Sequence, residues 1–299
     1  MKRKLLIISA ILAVSLAAFE TNTSGQAPTG PPQTNTRMLY HDGQVIDGHV
    51  NVYLIWYGCW SESCGNPGST AAQQIVTDFL SSLGSTPYFE INKTYPNAAG
   101  DAPTGRLSSG RNEADPDYLR GVELTDADIR GVVHDSISIG DLPVDPTGVY
   151  IVLASPDVGS TSTGFCTEAG TPPHHGSADV FLRTVKYGFI GDPKRCPSLE
   201  APQFVLPNGN PRPTPNDNLT GDAMVAKLAH VLSTIVTNPF GDGWYDRFGL
   251  ENADKCQGKF GETYTTANGA RANIMLGQRD FLVSQNWVND GHGRCALSQ

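Results

Sequence analysis

Two runs of β-branched and aromatic residues, 50–56 (VNVYLIW) and 148–154 (GVYIVLA), limit what this chain can fold into more than any other feature. Each reads as a buried strand by composition. Buried strands need covering layers, and helical spacing supplies them. Residues 71–83 place Ile75, Val76, Phe79, Leu80 and Leu83 on one side, and 126–138 do so with Ile129, Val132 and Val133. A third helix over 222–237 carries Met224, Val225, Leu228, Leu232, Ile235 and Val236, and is stopped by Pro239, Gly241 and Gly243. Further strands are expected at 88–95 and 178–187, with a closing hairpin from 272–276 and 280–287. Residues 97–117 and 196–217 read as surface loop. Strands interleaved with helices and followed by strands give an α/β or α+β fold. The expectation is a single layered domain, a mixed sheet with flanking helices.

The first residues do not belong to that domain. Lys2, Arg3 and Lys4 precede an uncharged apolar run, 5–18, ending in small residues, which is the pattern of a cleavable secretory signal. The run is short for a membrane span, and no later stretch approaches the roughly 20 apolar residues one needs. Residues 19–37, rich in Thr, Gly, Pro, Asn and Gln, bury too little apolar surface to offset their ordering entropy and read as a disordered tether to a domain over 38–299. Loss of the three leader cations takes the formal charge from −9 to −12. With its acids dispersed and no basic patch, the chain is not expected to bind nucleic acid or an anionic membrane.

An exported chain with six cysteines is expected to be stabilised by three disulfides. The preferred pairing is Cys59–Cys64, Cys166–Cys196 and Cys256–Cys295, although sequence alone leaves connectivity open. No CxxC pair supports a structural zinc site. Asn22, Asn92 and Asn218 each begin an N-x-S/T triplet, relevant where the host glycosylates secreted proteins.

The helix over 222–237 carries the chemical signal. A zinc-hydrolase helix sets a ligand, a general base one residue on, and a second ligand four residues on, one turn along the same face. In that register stand His230, Val231 and Thr234. Around them, VYLIWYGCW (52–60), GVYIVLASPDV (148–158), GFC (164–166), VTNPFGDGWYD (236–246), NADKC (252–256) and GKFG (258–261) resemble the EXORDIUM or phosphate-induced protein family over about 38–295. That family is best known as secreted plant cell-wall proteins and has bacterial members. Some members and related secreted bacterial proteins are similar to zincins through a helix H-E-x-x-E-x-x-T-[DN]-P, so the resemblance implies a zincin-like fold. By it, His230 keeps the first histidine, Val231 and Thr234 are degenerate at the two glutamates, and Thr237, Asn238 and Pro239 keep the tail. Glu251 and Asp254 match the acids of an E-x-x-D-x-C segment. His175 matches the histidine of a Cys-Gly-x-His-Gly segment whose second cysteine is absent here.

The resemblance implies a secreted, extracellular EXORDIUM-like protein, at the cell wall or in the periplasm. It would be a catalytically impaired zincin relative that acts by binding an extracellular polysaccharide or protein, with no cofactor required. The alternative is an active, peptidase-like zinc hydrolase. Its metal ligands would be His230, His175 and Glu251, and its base Glu62, Asp246 or Asp254. The plain structural reading makes His230 a hydrogen-bonded helix residue, His174 and His175 a polar loop, and Glu251 a capping or salt-bridged acid. Other chemistries lack support: no G-x-S-x-G elbow occurs, and His134, Asp135 and Ser136 are adjacent on a helix and face different ways. Among the aromatic residues, Trp56 is expected in the core. Trp244 and Tyr245, with Asp246, are the candidate ligand-binding edge, in a Gly-flanked loop.

Overall fold

Chain order in the computed structural model, which describes residues 36–61, 69–168 and 170–299, runs β1 (Met38–Tyr40), β2 (Val50–Tyr57), α1 (Thr70–Leu83), β3 (Leu107–Asp115), α2 (Asp126–Ser138), β4 (Val149–Ala154), β5 (His174–Val180), β6 (Arg183–Ile190), α3 (Leu219–Thr237) and β7 (Trp244–Asp246). Five of the strands form one mixed sheet in the order β3-β2-β4-β6-β5. Four are parallel, and β5 closes one edge antiparallel to β6. The described residues all belong to one unit, Pro32–Gln299. The expected leader and most of the tether lie outside the described residues.

The two apolar runs are the middle of this sheet, and the period of two in a strand explains why they are apolar throughout. Val52, Leu54 and Trp56, with Val149, Ile151 and Leu153, pack on α1 and α3. Tyr53, Ile55 and Tyr57, with Tyr150, Val152 and Ala154, pack on α2. The result is a sheet with helices on both faces, the layered α/β arrangement expected. All three helices start at a side-chain cap: Ser69 for α1, Thr125 in a capping box with Asp128 for α2, and Asn218 for α3. Helix α3 is long and apolar enough to cross a membrane by length and composition, contrary to the sequence reading, but it is largely buried inside the domain.

Several expectations need correcting, each for a local reason. Residues 88–95 are not a strand: Phe89–Thr94 is a 3-10 helix. Asn92 donates to the Phe89 carbonyl and Thr94 to that of Ile91, so polar side chains bond the local backbone in place of a ladder. The stretch 97–117 is not all loop, because β3 forms within it. Its polar composition hid it, since its pairing with β2 and not apolar burial holds it in place. Residues 196–217 contain short helical turns at Pro197–Glu200 and Pro202–Phe204. The single strand expected at 178–187 is the β5–β6 hairpin, and it turns at Phe181 and Leu182 without a Gly, Asn or Asp to mark the turn.

That turn carries strain. Phe181 has φ of 53°, in the left-handed region where a bulky side chain is disfavoured. Phe181→Asn is therefore expected to raise stability by roughly 1 kcal/mol, read as a shift in urea midpoint. No gain would mean that Phe181 makes contacts that offset the strain.

Two of the expected disulfides are present, Cys166–Cys196 and Cys256–Cys295. The Cys59–Cys64 pairing involves Cys64, outside the described residues. Asn22 is also outside them. Asn92 is fully buried, and the Asn218 side chain caps α3 and donates to Ser69. Neither presents its amide for modification in the folded state.

Candidate functional site

Helix α3 breaks at Asn238-Pro239, and the chain must turn back sharply beneath it. Gly243 makes that possible: a Cβ there would sit 2.5 Å from the Thr237 carbonyl oxygen. Its N–H donates to the Asn238 side chain (2.6 Å), which fixes the turn. The chain then passes through β7, paired with β1, and reaches Glu251 and a 3-10 turn at Asp254–Cys256. The Glu251 N–H donates to Asp254 Oδ2 (2.9 Å), a local cap that aims both carboxylates back at α3.

Two histidines meet these acids. His230 on α3 lies 2.8 Å from Asp254 through Nε2, and His175 on β5 lies 2.8 Å from Glu251 Oε2 through Nε2. Asn238 donates to the other Glu251 oxygen at 2.7 Å. His175 is on a strand, not in the polar loop of the plain reading. The hairpin register explains its direction: it stands opposite Gly188 of β6, and directly opposed residues share a face. Gly188 leaves that face open, and Val231 takes the space, its Cγ2 3.0 Å from where a Gly188 Cβ would stand.

Charge in this cluster is strongly biased. Burial opposes ionisation of Asp254, but the hydrogen bond and charge of His230, the Glu251 N–H and the charge of His175 outweigh it and hold the carboxyl below its ordinary range. Burial likewise opposes a charge on His175, yet Glu251 and Asp254 raise its pKa above the usual histidine value. An ionised carboxylate only accepts, so each paired Nε2 carries the proton. The Nδ1 of His175 is buried and has no hydrogen-bond partner.

The candidate metal residues His175, His230 and Glu251 thus fall in one network, and Asp254, offered by sequence only as a base, is the direct partner of His230. Asn238, which sequence reading left as part of a motif tail, holds Glu251. As arranged, these groups are two histidine–carboxylate pairs. Among the described residues, no three His, Cys, Asp or Glu side chains converge in a metal-holding group. Val231 is fully buried, and the Thr234 hydroxyl donates to the Val231 carbonyl within its own helix. Glu62 lies outside the described residues.

The candidate ligand edge is packed into the domain. Trp244 is half-buried, donates its ring N–H to the Pro96 carbonyl (2.9 Å) and meets Tyr40 and Tyr95. Tyr245 stacks on His41 with ring centroids 3.5 Å apart. Asp246 is fully buried, 2.9 Å from Lys255 Nζ, and accepts the N–H groups of Phe248 and Leu250. Thr36, near the end of the expected tether, donates to the same carboxylate. The buried carboxylate of Asp246 thus serves a structural ion pair. Trp56 is core, edge-on to Trp60, and the Ser136 hydroxyl donates to its own helix at Val132, so no triad forms with His134.

Comparison with known proteins follows this geometry. A family model described as the phosphate-induced protein 1 conserved region matches residues 38–279. Protein EXORDIUM-like 1 of Arabidopsis thaliana is 30% identical over 259 residues, covering 79% of this chain and 78% of the relative. Protein EXORDIUM-like 3 of the same plant is 26% identical over 280 residues, 84% of this chain and 80% of the relative. Protein PHOSPHATE-INDUCED 1 of Nicotiana tabacum is 27% identical over 278 residues, 86% and 82%. No solved structure matches the chain. The family match takes in the whole sheet, α3 and the turn that carries Glu251 and Asp254, and the chain belongs to the phosphate-induced protein 1 (EXORDIUM) family.

Proposed function

We infer that this is a secreted extracellular protein of the EXORDIUM type that works by binding, a zinc-peptidase relative whose hydrolytic machinery has been replaced by structure. Its partner would be an extracellular polysaccharide or protein. One observation carries the reading: both candidate metal histidines, His230 of the zincin-like helix and His175 of the family's histidine segment, already donate to carboxylates, His230 to Asp254 and His175 to Glu251. Hydrogen bonds to charged partners inside a protein are worth about 1.5–3 kcal/mol, so a metal bound through these Nε2 atoms would have to displace two of them. Val231 and Thr234 add to the case, since neither supplies a carboxylate and both are packed into the core. The disulfides and the extracellular character of the family fit an exported protein.

The competing reading, an active zinc-dependent hydrolase, also has an observation in its favour. His175 Nδ1 is buried without a partner, and two histidines and two carboxylates lie in one network. Metal analysis separates the two. Protein purified without chelator is expected to hold zinc well below one equivalent, and His230→Ala is expected to leave that content unchanged. Stoichiometric zinc that disappears in His230→Ala would overturn the binding-only reading.

A further inference from the structure

The two edges of the central sheet are built differently. Strand β3 is guarded as solvent-exposed edges usually are, with charges at Arg111, Glu113 and Asp115 and a register irregularity against Val52 and Leu54 of β2. Strand β5 is guarded less: after its two histidines its one charge is Asp179, near the end of the strand. Gly176, Ser177 and Ala178 lie between, and among the described residues no backbone or side-chain group hydrogen-bonds its main chain on the side away from β6. Alternate residues of this seven-residue strand therefore present main-chain donors and acceptors outward, those between being bonded to β6.

That edge faces a wall. Helix α2 stands beside it, and the two enclose an open concavity of about 430 Å³ lined by Arg130, Gly131 and His134 on the helix and Ser177, Ala178 and Asp179 on the strand. Arg130 reaches Asp126 through Nη1 and is otherwise 45% exposed, as is His134. On the strand, Asp179 already accepts from Thr184. Where β5 ends, the strained turn displays Phe181 (67% exposed) and Leu182 (98% exposed), with the Phe181 ring 6.5 Å from that of His134. A turn made strained and apolar at a protruding tip sacrifices stability for something other than folding.

We propose that the β5–α2 cleft binds an extended segment of a partner polypeptide as a sixth strand of the sheet, with an acidic side chain of that segment against Arg130 and His134 and an apolar one on the Phe181-Leu182 tip. The main-chain edge selects the extended backbone, which no sugar reproduces. Arg130, 45% exposed beyond its pair with Asp126, is the cation of the helix wall and selects the acid there, while the Asp179 carboxylate on the strand keeps that acid to the helix side. A second copy of this chain is a poorer occupant, because pairing β5 with itself would set two Arg130–His134 walls against one another. The cleft lies at the sheet edge on the α2 side, while His175 and His230 face α3, so the inference does not depend on whether that cluster ever holds a metal.

The probe is a random dodecapeptide display library selected on the intact mature protein, with selected peptides measured by fluorescence anisotropy. Selected peptides are expected to carry a shared acidic position, and their affinity to fall at least tenfold on Arg130→Glu combined with His134→Glu. Both residues are exposed, and a melting curve checks that the double variant folds. On the unmodified protein, methylation of every second peptide amide is expected to abolish binding while methylation of the intervening amides is tolerated, a pattern peculiar to strand addition. The proposal is overturned by peptides that bind both proteins equally, by indifference to amide methylation, by a failure to select any peptide above background, or by a dimer of this chain that disappears in the double variant.

Discussion

Lys255→Met, with Asp246 left in place, is expected to cost the fold about 3–5 kcal/mol. Both side chains of this pair are fully inaccessible to solvent, 2.9 Å apart. Burial opposes ionisation of Asp246, but Thr36, Lys255 and the N–H groups of Phe248 and Leu250 hold its carboxyl below the ordinary range. Lys255 also lies 4.6 Å from the centre of the Trp287 ring, a desolvated cation over an aromatic face. Removing the ammonium leaves a buried carboxylate with no counter-charge, which is costlier than losing the attraction itself. The pair gathers Thr36, the 246–256 segment and Trp287, and Lys255 is next to the Cys256–Cys295 bridge, so its loss would loosen both ends of the described chain together. Combining Lys255→Met with Asp246→Asn is expected to recover most of the loss, because no charge is stranded and the amide oxygen still accepts the Phe248 and Leu250 N–H groups. Urea unfolding of both single variants and the double gives the coupling directly. A single-variant cost below about 1 kcal/mol, the range of exposed ion pairs, would show that the pair is not buried in solution.

Little of that pair was visible in the sequence. Asp246 stands out beside Trp244 and Tyr245 as a polar residue in a Gly-flanked loop, the usual look of a binding edge, and only tertiary packing turns it inward. The helices were legible because each has a solvent-facing or polar side that gives its apolar residues a period. The central strands β2 and β4 were legible because both faces are covered. Strand β3 was not, since backbone pairing has no signature in side chains, and the β5–β6 hairpin was hidden by a turn built from Phe181 and Leu182. For the site, motif resemblance brought His175, His230, Glu251 and Asp254 to notice. It could not say which acid meets which histidine, because that follows from β5 running antiparallel to β6 and placing His175 opposite Gly188.

Those pairings have a consequence in pH. Stability of chelator-treated protein is expected to be highest between about pH 4 and 6.5 and to decline on both sides. The folded pKa of Asp254 is depressed. Its contribution is therefore fully present above the unfolded value near 4 and is lost as pH falls through the lower folded value. The folded pKa of His175 is raised. Its contribution is fully present below the unfolded value near 6.5 and is lost as pH rises through the higher folded value. The acid limb is shared between Asp254 and Asp246, whose carboxyl is also depressed, while His175 acts on the alkaline limb, so substitution separates each residue's share. Asp254→Asn removes the charge and leaves one amide oxygen to accept from either His230 or the Glu251 N–H but not both, and is expected to lower stability at pH 5.5 by roughly 2–3 kcal/mol, the worth of hydrogen bonds to a buried charge, while shrinking the acid limb. Glu251→Gln keeps the shape and the contact with Asn238 but removes the negative charge beside His175, so the alkaline decline should shrink and the acid limb persist. Urea midpoints measured from pH 3 to 9 on the three proteins test both limbs. If each variant shifts the whole profile without changing its shape, the histidine–carboxylate pairs are not titrating with folding, and the locked-pair account of this site fails with them.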